Sequence, residues 1–115
     1  MYKIGEFSEL TGVTAKTLRY YDSIGLLKPS TIDNFTNYRY YNDTELILFK
    51  KIEYLKKLGF TLEEIKENLE DINIECLNKK RDELVRKRDY ITFQISEIDS
   101  LKSSLKQKKV KSLVQ

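Results

Sequence analysis

The sequence predicts a mainly α chain, a small head followed by one long helix. Three observations carry that expectation. Breakers are scarce: the 115 residues include one proline, Pro29, and four glycines. Two helical stretches flank a Gly12-Val13-Thr14 turn and are followed by a polar loop and a tyrosine-rich strand, which outlines a helix-turn-helix with a hairpin wing. Apolar residues then recur every seven positions from Leu77 to Leu105, the period of a coiled coil. The expected organisation is a winged-helix head over 1–71, a coiled-coil helix over 72–110 and a tail or linker stub over 111–115.

At the N-terminus, Tyr2 to Ile4 reads as a short strand or extended chain, and Gly5 to Thr11 as a first helix with Phe7 and Leu10 on one face. Gly12 ends it. Thr14 caps a second helix, because its hydroxyl accepts from the free amides of the first turn, and Gly25 falls where a left-handed cap belongs. Val13 and Leu18 are expected between the two helices. Lys16, Arg19, Tyr20 and Tyr21 give this short helix two cations and two phenols, which suits a phosphate backbone or a groove edge. Adjacent residues lie about 100° apart on a helix, so Tyr20 and Tyr21 do not both fit one core stripe. Two arrangements stay open: both rings at the core edge with wet hydroxyls, or both hydroxyls reaching a nucleic-acid backbone.

Leu26-Leu27-Lys28 is a short apolar piece stopped by Pro29, and Asp33 and Asn34 favour a turn. With the strand at Tyr38 to Tyr41 this makes a hairpin. Tyr38 and Tyr40 share one face; Arg39 and Tyr41 share the other. Asn42 and Glu45 fit a capping box, and Leu48, Phe49, Ile52, Leu55 and Leu58 mark the buried stripe of the next helix. Lys56 and Lys57 sit in its last turn, where the helix dipole alone accounts for them and phosphate contact is a further use. Thr61 and Glu64 repeat the capping box, with Leu62, Ile65 and Leu69 turned inward.

Leu77, Leu84, Ile91, Ile98 and Leu105 form the heptad seam, widened by Ile95 and Leu101. A straight helix drifts about 20° per heptad from such a repeat, so the seam implies a supercoiled pair. From 77 to 105 it runs about 42 Å, too long to be covered by a head of this size. A second copy is the simplest partner. Arg81 and Arg88 occupy places where a two-stranded seam prefers leucine, which loosens its first half.

Charge excludes little. The net charge is +3, with ten basic and eleven acidic residues in 1–70 (net −1) and eleven against seven in 71–115 (net +4). Bulk charge therefore does not argue for nucleic acid; local placement does. With no histidine and Cys76 as the one cysteine, neither an internal disulfide nor a multi-ligand metal site is available, and no cofactor is expected. Cys76 is expected as a small buried residue. The first residues lack the pattern of a signal peptide, and no apolar run is long enough to span a bilayer, so a cytoplasmic setting without membrane partners is expected. Scattered carboxylates and no glycine-rich phosphate loop argue against an enzyme.

Tyr2-Lys-Ile-Gly-Glu6, Thr11-Gly-Val-Thr14, Leu18-Arg-Tyr-Tyr-Asp22, Gly25-Leu-Leu27, Asn37-Tyr-Arg-Tyr-Tyr41 and Leu58-Gly-Phe-Thr-Leu-Glu-Glu-Ile65 together resemble the MerR family of bacterial transcription regulators. The wing segment is most similar to the multidrug-responsive, BmrR-like branch. The resemblance implies a homodimer whose long helices pair antiparallel. It also implies binding to a pseudo-palindromic operator in double-stranded promoter DNA, and distortion of an overlong spacer through which RNA polymerase is affected indirectly. Carried over by position, Lys16, Arg19, Tyr20 and Tyr21 match recognition-helix contacts, and Tyr38 and Arg39 match wing contacts. With Thr14, Thr17 and Lys57 these complete the expected DNA-binding set; Leu77, Leu84, Ile91, Ile95, Ile98, Leu101 and Leu105 form the expected dimer seam. Members usually carry a sensing segment after the long helix, so an effector domain is expected to be absent or truncated here. The competing readings are a coiled-coil protein-interaction scaffold and an excisionase-like architectural DNA-binding factor.

Overall fold

A computed structural model describes the backbone of residues 1–114 and the side chains of residues 1–108. The chain forms two compact units, Met1–Ile72 and a second from Asn73 on, one residue from the expected boundary.

In the first unit, strand β1 (Tyr2–Lys3) leads directly into helix α1 (Ile4–Thr11). Gly12, at φ 77°, reverses the chain, and its amide donates to the Ser8 carbonyl at 2.9 Å. Only glycine takes that left-handed backbone without strain. Helix α2 (Ala15–Ser23) follows, capped as expected by the Thr14 hydroxyl, which accepts from the Thr17 amide at 3.1 Å. Gly25, at φ 74°, turns the chain after it.

Leu26 and Leu27 do not form the first strand of the hairpin; both are buried core side chains. That strand is β2 (Thr31–Ile32), paired antiparallel with β3 (Arg39–Tyr41). Strand β1 pairs on the other side of β3, Tyr2 opposite Tyr41 and Lys3 opposite Tyr40, so the wing is one edge of a three-stranded sheet in the order β1-β3-β2.

Helix α3 (Asp43–Lys57) starts with the expected capping box of Asn42 and Glu45. The Glu45 carboxylate accepts from the Asn42 amide at 2.9 Å, and the Asn42 side-chain amide also donates to the Ser30 hydroxyl at 2.7 Å. Helix α4 (Leu62–Asn68) has the complete box, with Thr61 and Glu64 exchanging bonds of 2.9 and 3.1 Å.

The core gathers Phe7, Leu18, Tyr21, Leu26, Leu27, Tyr41, Phe49, Ile52, Leu55, Phe60 and Ile65. Phe7 is its centre: its ring stacks on Tyr41 at 4.3 Å and meets Phe49 edge-on at 6.4 Å. Two expected core positions differ. Leu10 and Leu58 are exposed. Leu58 follows the last turn of α3, and Phe60, which the helical period does not reach, fills the core instead.

The second unit is helix α5 (Ile74–Val114), 41 residues and so about 60 Å long. It runs past 110, so residues 111–114 continue the helix rather than form the expected tail or linker stub; Gln115 lies outside the described residues. All seven expected seam residues are exposed in the single chain, from 41% at Leu84 to 66% at Leu105. Tyr90 and Phe93, 6.3 Å apart, are exposed as well. Cys76 is only half-buried, not fully as expected. Among the described residues no group of three or more potential metal ligands occurs, and no helix is long and apolar enough to cross a membrane.

Candidate nucleic-acid interface

Helix α2 has two faces. Leu18 and Tyr21 point into the core, and this fixes which residues point out: Lys16, Arg19 and Tyr20 are exposed. Thr14 and Thr17, at the start of the helix, hold each other through their hydroxyls at 3.0 Å. Beside this outer face runs the β3 side of the wing. Arg19, Tyr38 and Arg39 line one cleft of about 550 Å³ with Lys3, Glu6, Glu9 and the first turn of α1.

The tyrosine pair resolves into neither open arrangement. Tyr20 is 52% exposed, whereas Tyr21 is 2% exposed and its hydroxyl is occupied. That hydroxyl donates to the Glu53 carboxylate at 3.4 Å and accepts from the Lys56 ammonium at 3.1 Å. The bond to Tyr21 chiefly holds the Lys56 ammonium above the ordinary lysine range. Tyr21 is thus not presented as a free phenol. It is a core ring whose polar end positions a lysine on α3.

The wing residues are also built into the fold. Arg39 Nε donates to Asp22 Oδ2 at 3.0 Å, so the guanidinium bridges β3 to the last turn of α2. Its other donors are left for further partners. Tyr38 is 54% exposed, and the Lys3 ammonium sits 5.6 Å from its ring centroid, within cation–π range. Lys57 is exposed at the C-terminal end of α3 and does not line the cleft.

The structure therefore brings Arg19, Tyr38 and Arg39 to one cleft and leaves Thr14, Lys16, Thr17, Tyr20 and Lys57 outside its lining. Lys3 and Asp22 join the site although neither stood out as functional. Lys3 was hidden because its place depends on β1 pairing with β3. Asp22 carries a readable signal: an acid one helical turn after Arg19, on a chain that brings back an arginine at the wing.

This head and its long helix have close counterparts. Residues 2–72 match the profile described as MerR HTH family regulatory protein. The multidrug-efflux transporter 1 regulator of Bacillus subtilis (strain 168) is 38% identical over 109 residues, covering 91% of this chain and 39% of that protein. Among solved structures, EcmrR in its cryo-EM complex with DNA superposes with a TM-score of 0.84 at 33% identity, covering 92% of this chain and 40% of that one. The crystallised N-terminus of the B. subtilis multidrug transporter activator, MtaN, gives a TM-score of 0.76 at 34% identity, covering 86% of this chain and 95% of that one. The chain spans about two fifths of the length of its first curated relatives. The family match covers more than half of the sequence, and the chain belongs to the MerR family of helix-turn-helix regulatory proteins.

Proposed function

We propose that the chain is a cytoplasmic, non-catalytic DNA-binding transcription regulator that acts as a homodimer. The observation that carries this reading is the single cleft where the outer face of α2 meets the wing, with Arg19, Arg39 and Lys3 as cations beside the half-exposed Tyr38. EcmrR, similar over most of this chain, is named in a complex with DNA.

Thr14, Lys16, Thr17, Arg19, Tyr20, Tyr38 and Lys57 are the proposed direct contacts, chiefly to phosphates. Such contacts set register and hold a deformed duplex more than they read bases. Arg39 and Tyr21 take different parts. Arg39 contacts DNA with the donors that Asp22 leaves, in an orientation the carboxylate fixes. Tyr21 holds the Lys56 ammonium at 3.1 Å instead of contacting DNA itself. Leu77, Leu84, Ile91, Ile95, Ile98, Leu101 and Leu105 pair two α5 helices antiparallel, giving two heads for the two halves of a pseudo-palindromic promoter operator. RNA polymerase is affected through the distorted spacer.

The test is a footprint on the DNA upstream of the chain's own gene at low and moderate salt. A symmetric footprint that weakens steeply with salt is expected, because each phosphate contact releases counterions. Arg19→Ala is expected to weaken binding by about 1–3 kcal/mol and flatten the salt slope by about one unit, with the melting temperature unchanged. Absence of protection at both salts, from a chain that sediments as a dimer, would transfer the head to protein binding.

A further inference from the structure

The tip of the wing holds the most exposed aromatic ring of the molecule. Phe35 is 98% exposed, in a head where Phe7, Phe49 and Phe60 are all buried. It has no hydroxyl to make water a good neighbour, unlike the exposed tyrosines. Its loop is nonetheless tightly made. Asp33 Oδ1 accepts from the Phe35 and Thr36 amides at 2.8 and 3.0 Å. The Asn37 amide donates to the Asp33 carbonyl at 2.8 Å, the Asp33 amide to the Tyr38 carbonyl at 2.9 Å, and the Tyr38 amide to the Thr36 hydroxyl at 3.2 Å. Asn37 takes the left-handed backbone at φ 61° that closes the turn. The ring is thus held out in water by a turn whose ordering is complete before any partner arrives.

One ring is far too little for a protein interface, which takes about 800 Å² from each partner. It suits a narrow partner that offers an apolar slot between polar walls. Around Phe35 stand Asn34, Thr36 and Asn37, all exposed. The minor groove shows mainly acceptors on its floor, it is about 6 Å wide, and its walls are sugar edges. Asparagine amides donate to that floor, and phenylalanine is among the side chains that enter between base steps and bend the duplex. Arg39 and Tyr38, a few residues along the same hairpin, line the cleft shared with Arg19.

We propose that Phe35 is an apolar wedge that the wing tip presents to the minor groove of duplex DNA, flanked by Asn34 and Asn37 as donors to the groove floor. This rests on the DNA-binding reading above and adds a contact of a different kind. Phosphate contacts are ionic and salt-sensitive; this one is apolar and is not.

The experiment uses the full chain and a fluorescein-labelled duplex carrying the dyad that the chain selects from a random-sequence library. Affinity is measured at two salts and the duplex is cleaved with hydroxyl radicals, which attack through the minor groove. Phe35→Ala is expected to bind about tenfold more weakly at both salts with an unchanged salt slope. Protection at two symmetric minor-groove positions should disappear. Phe35→Leu, which keeps an apolar wedge, should recover most of the affinity. Thermal melting of both variants should match the parent, since the ring makes no core contact. Selection of a duplex by the parent chain, with Phe35→Ala binding within twofold and protection intact, overturns the wedge and leaves the DNA-binding reading standing. Failure of the parent chain to select any duplex overturns both.

Discussion

The head and the long helix are the same polypeptide solving burial in opposite ways. The head, Met1–Ile72, encloses its apolar residues: Phe7, Leu18, Tyr41, Ile52 and Ile65 are essentially inaccessible. Helix α5 encloses none of its seam; Ile91, Ile95 and Ile98 are each more than half exposed. A folded domain gains its stability from area removed from water, roughly 25 cal/mol per Å². The head makes that gain within one chain. The helix by itself does not. One part is thus a folded unit that buries its own apolar residues, and the other carries an apolar stripe that it leaves open to water.

The largest test of that contrast is to charge the seam. Ile91→Lys with Ile98→Lys places four ammonium groups in a paired interface and removes four buried isoleucines, each worth about 1.5–3 kcal/mol. Dissociation to monomer is expected in sedimentation at concentrations where the parent is a dimer, with the melting of the head unchanged. A dimer that survives both substitutions would place the contact elsewhere on the chain.

The converse test breaks the head and spares the helix. Phe7→Ala removes the ring that stacks on Tyr41 and meets Phe49, and is expected to destabilise the head by about 3–5 kcal/mol. The near-ultraviolet tyrosine signal should melt early while the helical signal of α5 and the dimer persist. Loss of both together would show that the two units are not energetically separate.

A smaller effect of the opposite sign is expected at Tyr41. Its hydroxyl is buried and has no hydrogen-bond partner among the described residues, and burial pushes its ionisation up. An unmet buried hydroxyl costs about 1–3 kcal/mol, and removing it without changing the ring avoids that cost. Tyr41→Phe is expected to raise head stability by about 1 kcal/mol, some 4–8 °C in Tm for a domain of this size. An unchanged or lowered Tm would mean the hydroxyl is satisfied in solution.

Much of this was legible in the sequence, for identifiable reasons. Capping by Thr14 and Thr61 depends on residues three apart, and the long helix α5 on a helical period without breakers; both are local signals. What escaped depends on pairing between distant segments. Nothing in Thr31-Ile32 marks a strand, because two residues carry no alternation, and the strand forms only because β3 lies beside it. The buried end of Tyr21 needed Glu53 and Lys56, more than thirty residues away. Arg39 was readable as a wing cation but not as the partner of Asp22, since a hairpin of unknown register does not say where its arginine points. The site was legible as an inventory of side chains; their division between core, bridge and free surface was not.

The smallest effect tests whether rigidity, too, differs between core and surface. Asp33 lies partly exposed in the wing turn, and its carboxyl is held below its ordinary value of 3.8, first by the amide bond from Thr36 and then by that from Phe35. A carboxyl whose folded value is depressed contributes order that is complete above the unfolded value and is lost as pH falls through the folded one. The turn should therefore stay closed at neutral pH and down to about pH 4, and open only below it. In a titration followed by NMR, the Phe35 and Thr36 amide resonances should move together with a midpoint below 3.8, while amides of the head core stay still until acid unfolding. A midpoint at or above 3.8 would mean that the two amides do not hold the carboxylate in solution. The wing tip would then be ordered by a partner rather than in advance of one.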